Sequence, residues 1–411
     1  MRFLYLVFSS MLLPCVAEVE FLLAVWRHGD RAPESLPYPS DPYNETYWPR
    51  GWNQLTNVGI DQATKLGRFL RRRYQSSVLS VFDRKKITIR ASDADRAIET
   101  AQCVATTLFP PDGLQIWNDG KFRHWQPIPI RTNGKPDPML RPSKIQCPHY
   151  QRIVADERKK IERDINEKYK TELDMISNHT GHVTRYANIK DIYNIILEHY
   201  NGLPFPDWVE QKVNNRSLLD TITEIRRIAR LQLFNSREKA KYMAGYMIDQ
   251  WSESLVLASQ HLNTKKALLY SSHDGTLTAL LYGLGISNHQ LIPYTACIMV
   301  ELHTGNNIKV TYNKNNNLGV KDNTVHFLYS NPDRCTSAIY FRNSTSEDPD
   351  DVHELFIPGC TTDCHISKFI KSVTGVRVKS LEQLEFICQS AFTRPSTLIF
   401  AIIVVVMRLI L

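Results

Sequence analysis

The sequence predicts an α/β fold built on a parallel or mixed sheet, with a helical subdomain inserted into it. Three observations carry that prediction. Strand-like and helix-like segments alternate through the first third of the chain and return after residue 267. The run Phe21-Leu22-Leu23-Ala24-Val25-Trp26 has no polar break and reads as a strand buried on both faces. The stretch from about 145 to 235 is instead charged, strand-poor and helical in its periodicity.

Taken in order, the opening strand is followed by a Pro- and Tyr-rich loop, Glu34 to Gly51, and then by a helix over about Thr56 to Tyr74. Lys86 to Ala91 reads as the next strand, feeding a helix from about Asp93 to Leu108 that Pro110-Pro111 terminates. The insertion shows helices at His149 to Ile176 and Ser217 to Phe234, and a long helix from about Arg237 to His261 leads back to the sheet. Ala267 to Tyr270 is another buried strand, with a helix from Thr276 to about Gly283. Ala296 to His303 and Ile308 to Tyr312 are the best candidates for the later strands.

The chain has 411 residues, 43% hydrophobic and 22% charged, which fits one large globular domain plus a smaller one. Its net charge of +8 is dispersed, and short runs such as Arg71-Arg72-Arg73 sit on helix faces. Nucleic acid is therefore not an expected partner. No Cys-x-x-Cys pair or His-Glu-x-x-His occurs, so no metal site is expected.

Both ends carry hydrophobic signals. Arg2, the apolar segment Phe3 to Leu13 and the small-residue site Cys15-Val16-Ala17 read as a signal peptide over 1–17. Four glycosylation acceptors, at Asn44, Asn178, Asn215 and Asn343, agree with a secretory route. At the other end a hydrophobic tail occupies 395–411. Leu398 to Leu411 would span about 21 Å as a helix, short of a hydrocarbon core of about 30 Å. Membrane tethering is the favoured reading, with Arg408 snorkelling to an interface, and a removed anchor signal is the alternative. Of eight cysteines, seven remain once Cys15 is cleaved, so one is left over or pairs between chains.

Chemistry gathers at three predicted strand ends. The first strand delivers Arg27-His28-Gly29-Asp30-Arg31-Ala32-Pro33. Arg96 falls in the first turn of the helix after the second strand, and His273-Asp274 ends the third. The carboxyl edge of an open α/β sheet is where ligands bind. Guanidiniums at such a position call for an anion, and their fork geometry matches phosphate. A neutral imidazole between them is a nitrogen nucleophile, and a carboxylic acid can protonate a leaving alkoxide. Arg27, Arg31 and Arg96 neutralise charge as Mg²⁺ does elsewhere, so no cofactor is expected. Each residue also has a plainer reading. Arg96 would be a helix-surface arginine, His273 a satisfied core histidine, Asp274 a helix N-cap, and Asp30 a turn residue.

The seven-residue string resembles the signature of the histidine acid phosphatases, branch 2 of the histidine phosphatase superfamily. The resemblance runs from about Phe21 to Cys388 and is nearest to the animal prostatic and lysosomal acid phosphatases. Further stretches carry it: Trp48 to Gly51, Ser92 to Arg96, Leu108 to Pro111, Trp125 to Pro129, Ser272 to Asp274, Pro293-Tyr294 and Pro358 to Cys360. It implies a phosphoglycerate mutase-like mixed α/β sandwich, with catalytic parts at 18–120 and 243–390 and a helical cap at 121–242. It implies phosphomonoester hydrolysis with His28 as the nucleophile that becomes phosphohistidine. Arg27, Arg31, Arg96 and His273 would hold the phosphate, and Asp274 would protonate the leaving group.

The resemblance also implies disulfides Cys147–Cys388 and Cys360–Cys364, and homodimers using a strand near Trp125 to Ile130. Departures from the pattern are a missing cap partner for Cys297, unassigned Cys103 and Cys335, a Cys297–Cys335 pairing left open, and an apparent insertion over about 315–337. Two alternative functions stand beside the leading one: a specialised phytase-like phosphatase, and a non-catalytic phosphate-ligand-binding protein.

Overall fold

The computed structural model describes residues 19–117, 125–304, 307–314, 341–343, 353–360 and 364–389, with backbone alone for 307–314, 341–343 and 353–354. The signal-peptide and tail segments, Cys335 and the 315–337 insertion lie outside them.

The opening apolar run forms β1 (Val19–Arg27). It pairs in parallel with β6 (Ala267–Ser272), which pairs in parallel with β2 (Ile87–Ala91), and β2 with the short edge strand β3 (Ile130–Arg131). On its other side β1 runs antiparallel to β7 (Cys297–His303), followed by β8 (Asn307–Lys314). Two short strands, β9 (Phe341–Asn343) and β10 (His353–Glu354), pair with β8 and complete a mixed sheet of eight strands. A separate two-stranded ribbon in the insertion joins β4 (Lys212–Val213) to β5 (Arg216–Ser217).

The sheet is covered on both faces, which is why β1 has no polar alternation. Leu22, Ala24 and Trp26 pack with α1 (Asn57–Tyr74) and α2 (Asp95–Leu108). Phe21, Leu23 and Val25 point the other way, into a core shared with α8 (Arg237–Ser259), α9 (Asp274–Leu284) and α10 (Ile366–Val373). The result is a three-layer α/β/α sandwich. Each layer buries an apolar face against the strands, the dominant stabilising term in such a fold.

The insertion has a third core of its own. It consists of α3 (Pro148–Lys168), α4 (Lys170–Thr180), α5 (Ile189–Ile192), α6 (Ile195–Tyr200) and α7 (Leu218–Leu231). Leu173, Ile176, Ile189, Ile196, Trp208, Val209, Ile222 and Ile225 fill it, with Tyr38 reaching in from the loop after β1. The single helix expected over His149 to Ile176 is two helices that break at Tyr169, whose backbone leaves the helical region (φ −107°, ψ 25°) while its side chain is buried. The helix after β6 starts at Asp274 rather than Thr276, because His273 itself is the N-cap.

Disulfides join Cys147 to Cys388 and Cys360 to Cys364. The first ties the start of α3 to α11 (Leu381–Gln389) across 241 residues of chain. Cys103 and Cys297 carry free thiols, the latter buried. Among the described residues no helix is long and apolar enough to cross a membrane.

Candidate active site

The three predicted strand ends meet. β1 and β6 run in register up to Arg27 opposite Ser272, and β6 faces β2 up to Ala91 opposite Ser271. Parallel neighbours necessarily place their carboxyl ends together, so residues far apart in sequence arrive at one edge.

His28 is almost fully buried, and its backbone is pinned on both sides. Its N–H donates to the Ser272 carbonyl (2.9 Å), and its own carbonyl accepts from the Thr295 N–H (3.3 Å). Gly29 lies against α1 so closely that a Cβ there would stand 2.4 Å from the Gly59 carbonyl oxygen. Only glycine permits this backbone-to-backbone approach. The Gly29 N–H donates to Thr100 Oγ1 (3.0 Å).

The imidazole of His28 has its two nitrogens differentiated. Nδ1 lies 2.8 Å from the Gly29 carbonyl, an acceptor, so Nδ1 carries the proton. Nε2 then has a free lone pair, and it accepts from Arg96 Nε at 3.1 Å. Burial, with the charges of Arg96, His273 and Arg27, holds the His28 pKa well below its ordinary value. The ring therefore stays neutral in acid.

Three guanidinium groups lie around it. Arg27 stacks over the Tyr294 ring (3.7 Å) and donates from Nη1 to the Ile292 carbonyl (2.5 Å). Its Nε is buried and has no hydrogen-bond partner among the described residues, so it is a donor open to an anionic acceptor. Arg31 contacts the Ala32 carbonyl (2.7 Å) and, at 3.7 Å, the carboxylate of Glu34. Arg96 has its pKa lowered to about 10 by burial and by the like charges of Arg31 and Arg141. Crowded guanidiniums of this kind are a preformed anion site.

His273 lies edge-on to His28, ring centroids 5.3 Å apart, and its Nε2 meets Ser92 Oγ at 2.8 Å. Burial, together with Arg96 and Arg141, lowers its pKa to about 3. Asp274 is the first residue of α9. Arg230 of α7 grips its carboxylate with both arms, Nε to Oδ2 at 2.7 Å and Nη2 to Oδ1 at 2.9 Å. Burial pushes this carboxyl up, but Arg230, Arg27 and Arg226 outweigh it and hold the pKa well below the usual carboxylate range.

Several groups here escaped the sequence reading. Asp30 is fully buried rather than a plain turn residue. Its Oδ2 accepts from Thr56 Oγ1 (2.6 Å), the N-cap of α1, and from Asn201 Nδ2 (2.8 Å) at the end of α6. Burial raises its pKa to about 6. Ser92 follows β2 at the same edge and was legible by position. Arg141 was not: it sits on a loop fixed by the Arg90–Asp137 ion pair (2.7 Å) and by Ser272 and Thr276 hydroxyls donating to the Leu140 carbonyl. Arg226 and Arg230 come from the insertion and belong to no motif. Among the described residues no cluster of three or more His, Cys, Asp or Glu could hold a metal ion.

Comparison with known proteins places the chain in a family. The family profile described as "Histidine phosphatase superfamily (branch 2)" matches residues 18–329. Prostatic acid phosphatase of Bos taurus is 29% identical over 372 residues, covering 87% of this chain and 85% of the relative. Lysosomal acid phosphatase of Xenopus laevis is 30% identical over 386 residues, covering 92% and 81%. Among solved structures, the apo form of Hafnia alvei phytase superposes with a TM-score of 0.61 at 14% identity, covering 89% of this chain and 98% of that one. That last likeness is one of fold.

Proposed function

The chain belongs to the histidine phosphatase superfamily, branch 2, and on that premise we propose that it is an acid phosphatase working through a phosphohistidine on His28. The observation that carries the proposal is the state of His28, with Nδ1–H committed to Gly29 and the Nε2 lone pair facing Arg96. A buried imidazole kept neutral in acid and surrounded by guanidiniums is a nucleophile suited to an anionic electrophile.

In the first step Nε2 attacks phosphorus and the bond to the ester oxygen breaks. Arg27, Arg31, Arg96 and His273 hold the equatorial oxygens, and Asp274 passes a proton to the departing alkoxide. In the second step water attacks the phosphohistidine, its proton goes to the Asp274 carboxylate, and the P–N bond breaks to release inorganic phosphate. Resting Asp274 is ionised, the form the second step needs. For the first step it must hold a proton. The negative charge of a phosphomonoester, about −1 in acid because its second pKa is about 6, offsets the surrounding guanidiniums and raises its proton affinity.

The prostatic and lysosomal acid phosphatases named above support small phosphomonoesters as substrates. The phytase-like reading rests on likeness of fold alone, and the non-catalytic reading would require loss of a site residue, none of which is missing. A secretory or lysosomal setting is supported by the names of the same relatives, by the N-terminal signal read in the sequence and by the acceptors Asn44, Asn178 and Asn215, which are exposed. The tail at 395–411 would tether the protein to a membrane. β3, at the sheet edge, would serve a homodimer. The cap would be the 121–242 segment.

The test is hydrolysis of an aryl phosphate at acid pH in the presence of a chelator. The expected result is turnover by the wild type and none by His28→Ala. Equal rates would reject the proposal.

A further inference from the structure

We propose that Arg226 and Arg230 form a binding site for an anionic group on the leaving alcohol. The preferred substrates are then phosphomonoesters that carry a second acid group near the ester. This rests on the assignment of Asp274 as the leaving-group acid and extends it to substrate choice.

The placement comes from the helix. Residues four apart share a face, so Arg226 and Arg230 project together from α7 on the Asp274 side of the site. Arg227, between them, is committed elsewhere, to Glu224 (2.8 Å) and the His289 carbonyl (2.9 Å). Arg230 is engaged with Asp274 and lies 5.0 Å from the Phe234 ring. Arg226 lies 5.7 Å from the Tyr193 ring and has no hydrogen-bond or ion-pair partner among the described residues. Its pKa is lowered by burial and by the like charge of Arg230.

Three guanidiniums, Arg27, Arg226 and Arg230, thus act on the single carboxylate of Asp274. A transferring phosphoryl group engages Arg27, leaving two cations against one anion on the leaving-group side. An excess of partly buried cations is costly without an anion. The backbone is shaped for the arrangement. A Cβ at Gly275, the residue after Asp274, would stand 2.8 Å from Arg230 Nη2 and 3.1 Å from Phe234 Cζ. Any larger residue there would displace the fork.

The consequence is a coupling of recognition to catalysis. While Arg230 holds both oxygens of Asp274, that carboxyl cannot carry a proton to the ester. An acid group on the leaving alcohol draws Arg230 to itself, with Arg226 as its second contact, and frees an Asp274 oxygen for the proton. A neutral alcohol leaves the fork to open unaided, so its ester is cleaved more slowly.

Matched substrates test this on the full chain. One pair is 3-phosphoglycerate against glycerol 3-phosphate, in which a hydroxymethyl group replaces the carboxylate. The other is propane-1,3-diyl bisphosphate against propyl phosphate. The wild type is expected to favour the anionic member in kcat/KM by about tenfold to a hundredfold, the scale of charge-assisted hydrogen bonds. A preference in the first pair identifies a carboxylate site, and one confined to the second identifies a phosphate site; either supports the proposal.

Arg226→Gln should shrink that ratio mainly through KM of the anionic member, and Arg230→Gln should shrink it also by raising kcat of the neutral member, whose Asp274 is no longer held, in protein whose circular dichroism and Tm match the wild type. Gly275→Ala, which moves Arg230 without removing it, should shrink it as well. Equal turnover within each pair by the wild type, or ratios unchanged in the Arg226 and Arg230 variants, would overturn this proposal alone. A wild type that hydrolyses none of the four would overturn the phosphatase reading and this one with it.

Discussion

The carboxyl edge of the sheet and the helical insertion face one site, but they are fixed in place by different forces. At the sheet edge the backbone does the positioning. His28 is bonded on both sides to neighbouring strands and loops, and Gly29 rests directly on Gly59. The insertion has a separate apolar core, and much of its hold on the site is polar. Asn201 reaches Asp30, Arg230 reaches Asp274, and Lys190 reaches Glu34. A further link is the buried Glu198 of α6, whose carboxyl is hydrogen-bonded to Asp41 of the loop after β1. The nucleophile's backbone is therefore held by bonds and contacts that do not titrate, whereas the insertion's hold responds to protons and to the charge of whatever binds.

Changes at the sheet edge should abolish chemistry. His28→Ala should lower kcat by at least about four orders of magnitude, as removing a covalent nucleophile does elsewhere, measured with an aryl phosphate. Arg96→Ala should cost about a hundredfold to a thousandfold in kcat, the range for losing one donor to a transition-state oxyanion. A loss confined to KM would show that Arg96 only binds.

Changes at the insertion should act on stability and its pH dependence. Burial, then Asp41, raises the Glu198 pKa from 4.5 to about 9. A carboxyl whose folded pKa is raised stabilises the fold fully below its unfolded value and loses that contribution as pH climbs to the folded one. Tm should thus fall from pH 4.5 toward pH 9, and Glu198→Gln should flatten the fall in a thermal melt across that window. An unchanged slope would mean that the Glu198–Asp41 pair does not carry it. The smallest effect is expected for Asn201→Ala, which removes one donor to buried Asp30. About 1 to 3 kcal/mol of stability should be lost, read from urea unfolding, and Tm should fall more steeply with rising pH, because Asn201 is one of the donors that hold the Asp30 pKa down.

The same contrast explains what was legible in the sequence. Arg27, His28, Arg31, Arg96, His273 and Asp274 could be found because each follows an apolar strand, and parallel strands bring such positions together. Ser92 was within reach by the same logic. Arg226 and Arg230 were not, because an arginine on an amphipathic helix looks the same whether it meets solvent or a carboxylate. Asp30 was read as a turn residue, since its partners Thr56 and Asn201 lie 26 and 171 residues away. The break at Tyr169 was hidden because the apolar spacing continues through it, and only the packing of the insertion's core requires the bend.

The central claim is that His28 Nε2 becomes phosphorylated. Rapid acid-free quenching of the full chain during turnover, followed by intact mass and peptide mapping, tests it most directly. The account predicts one added phosphoryl group on the peptide containing His28, labile in acid, and absent from His28→Ala. Steady turnover with no such adduct, or an adduct on another residue, would contradict it.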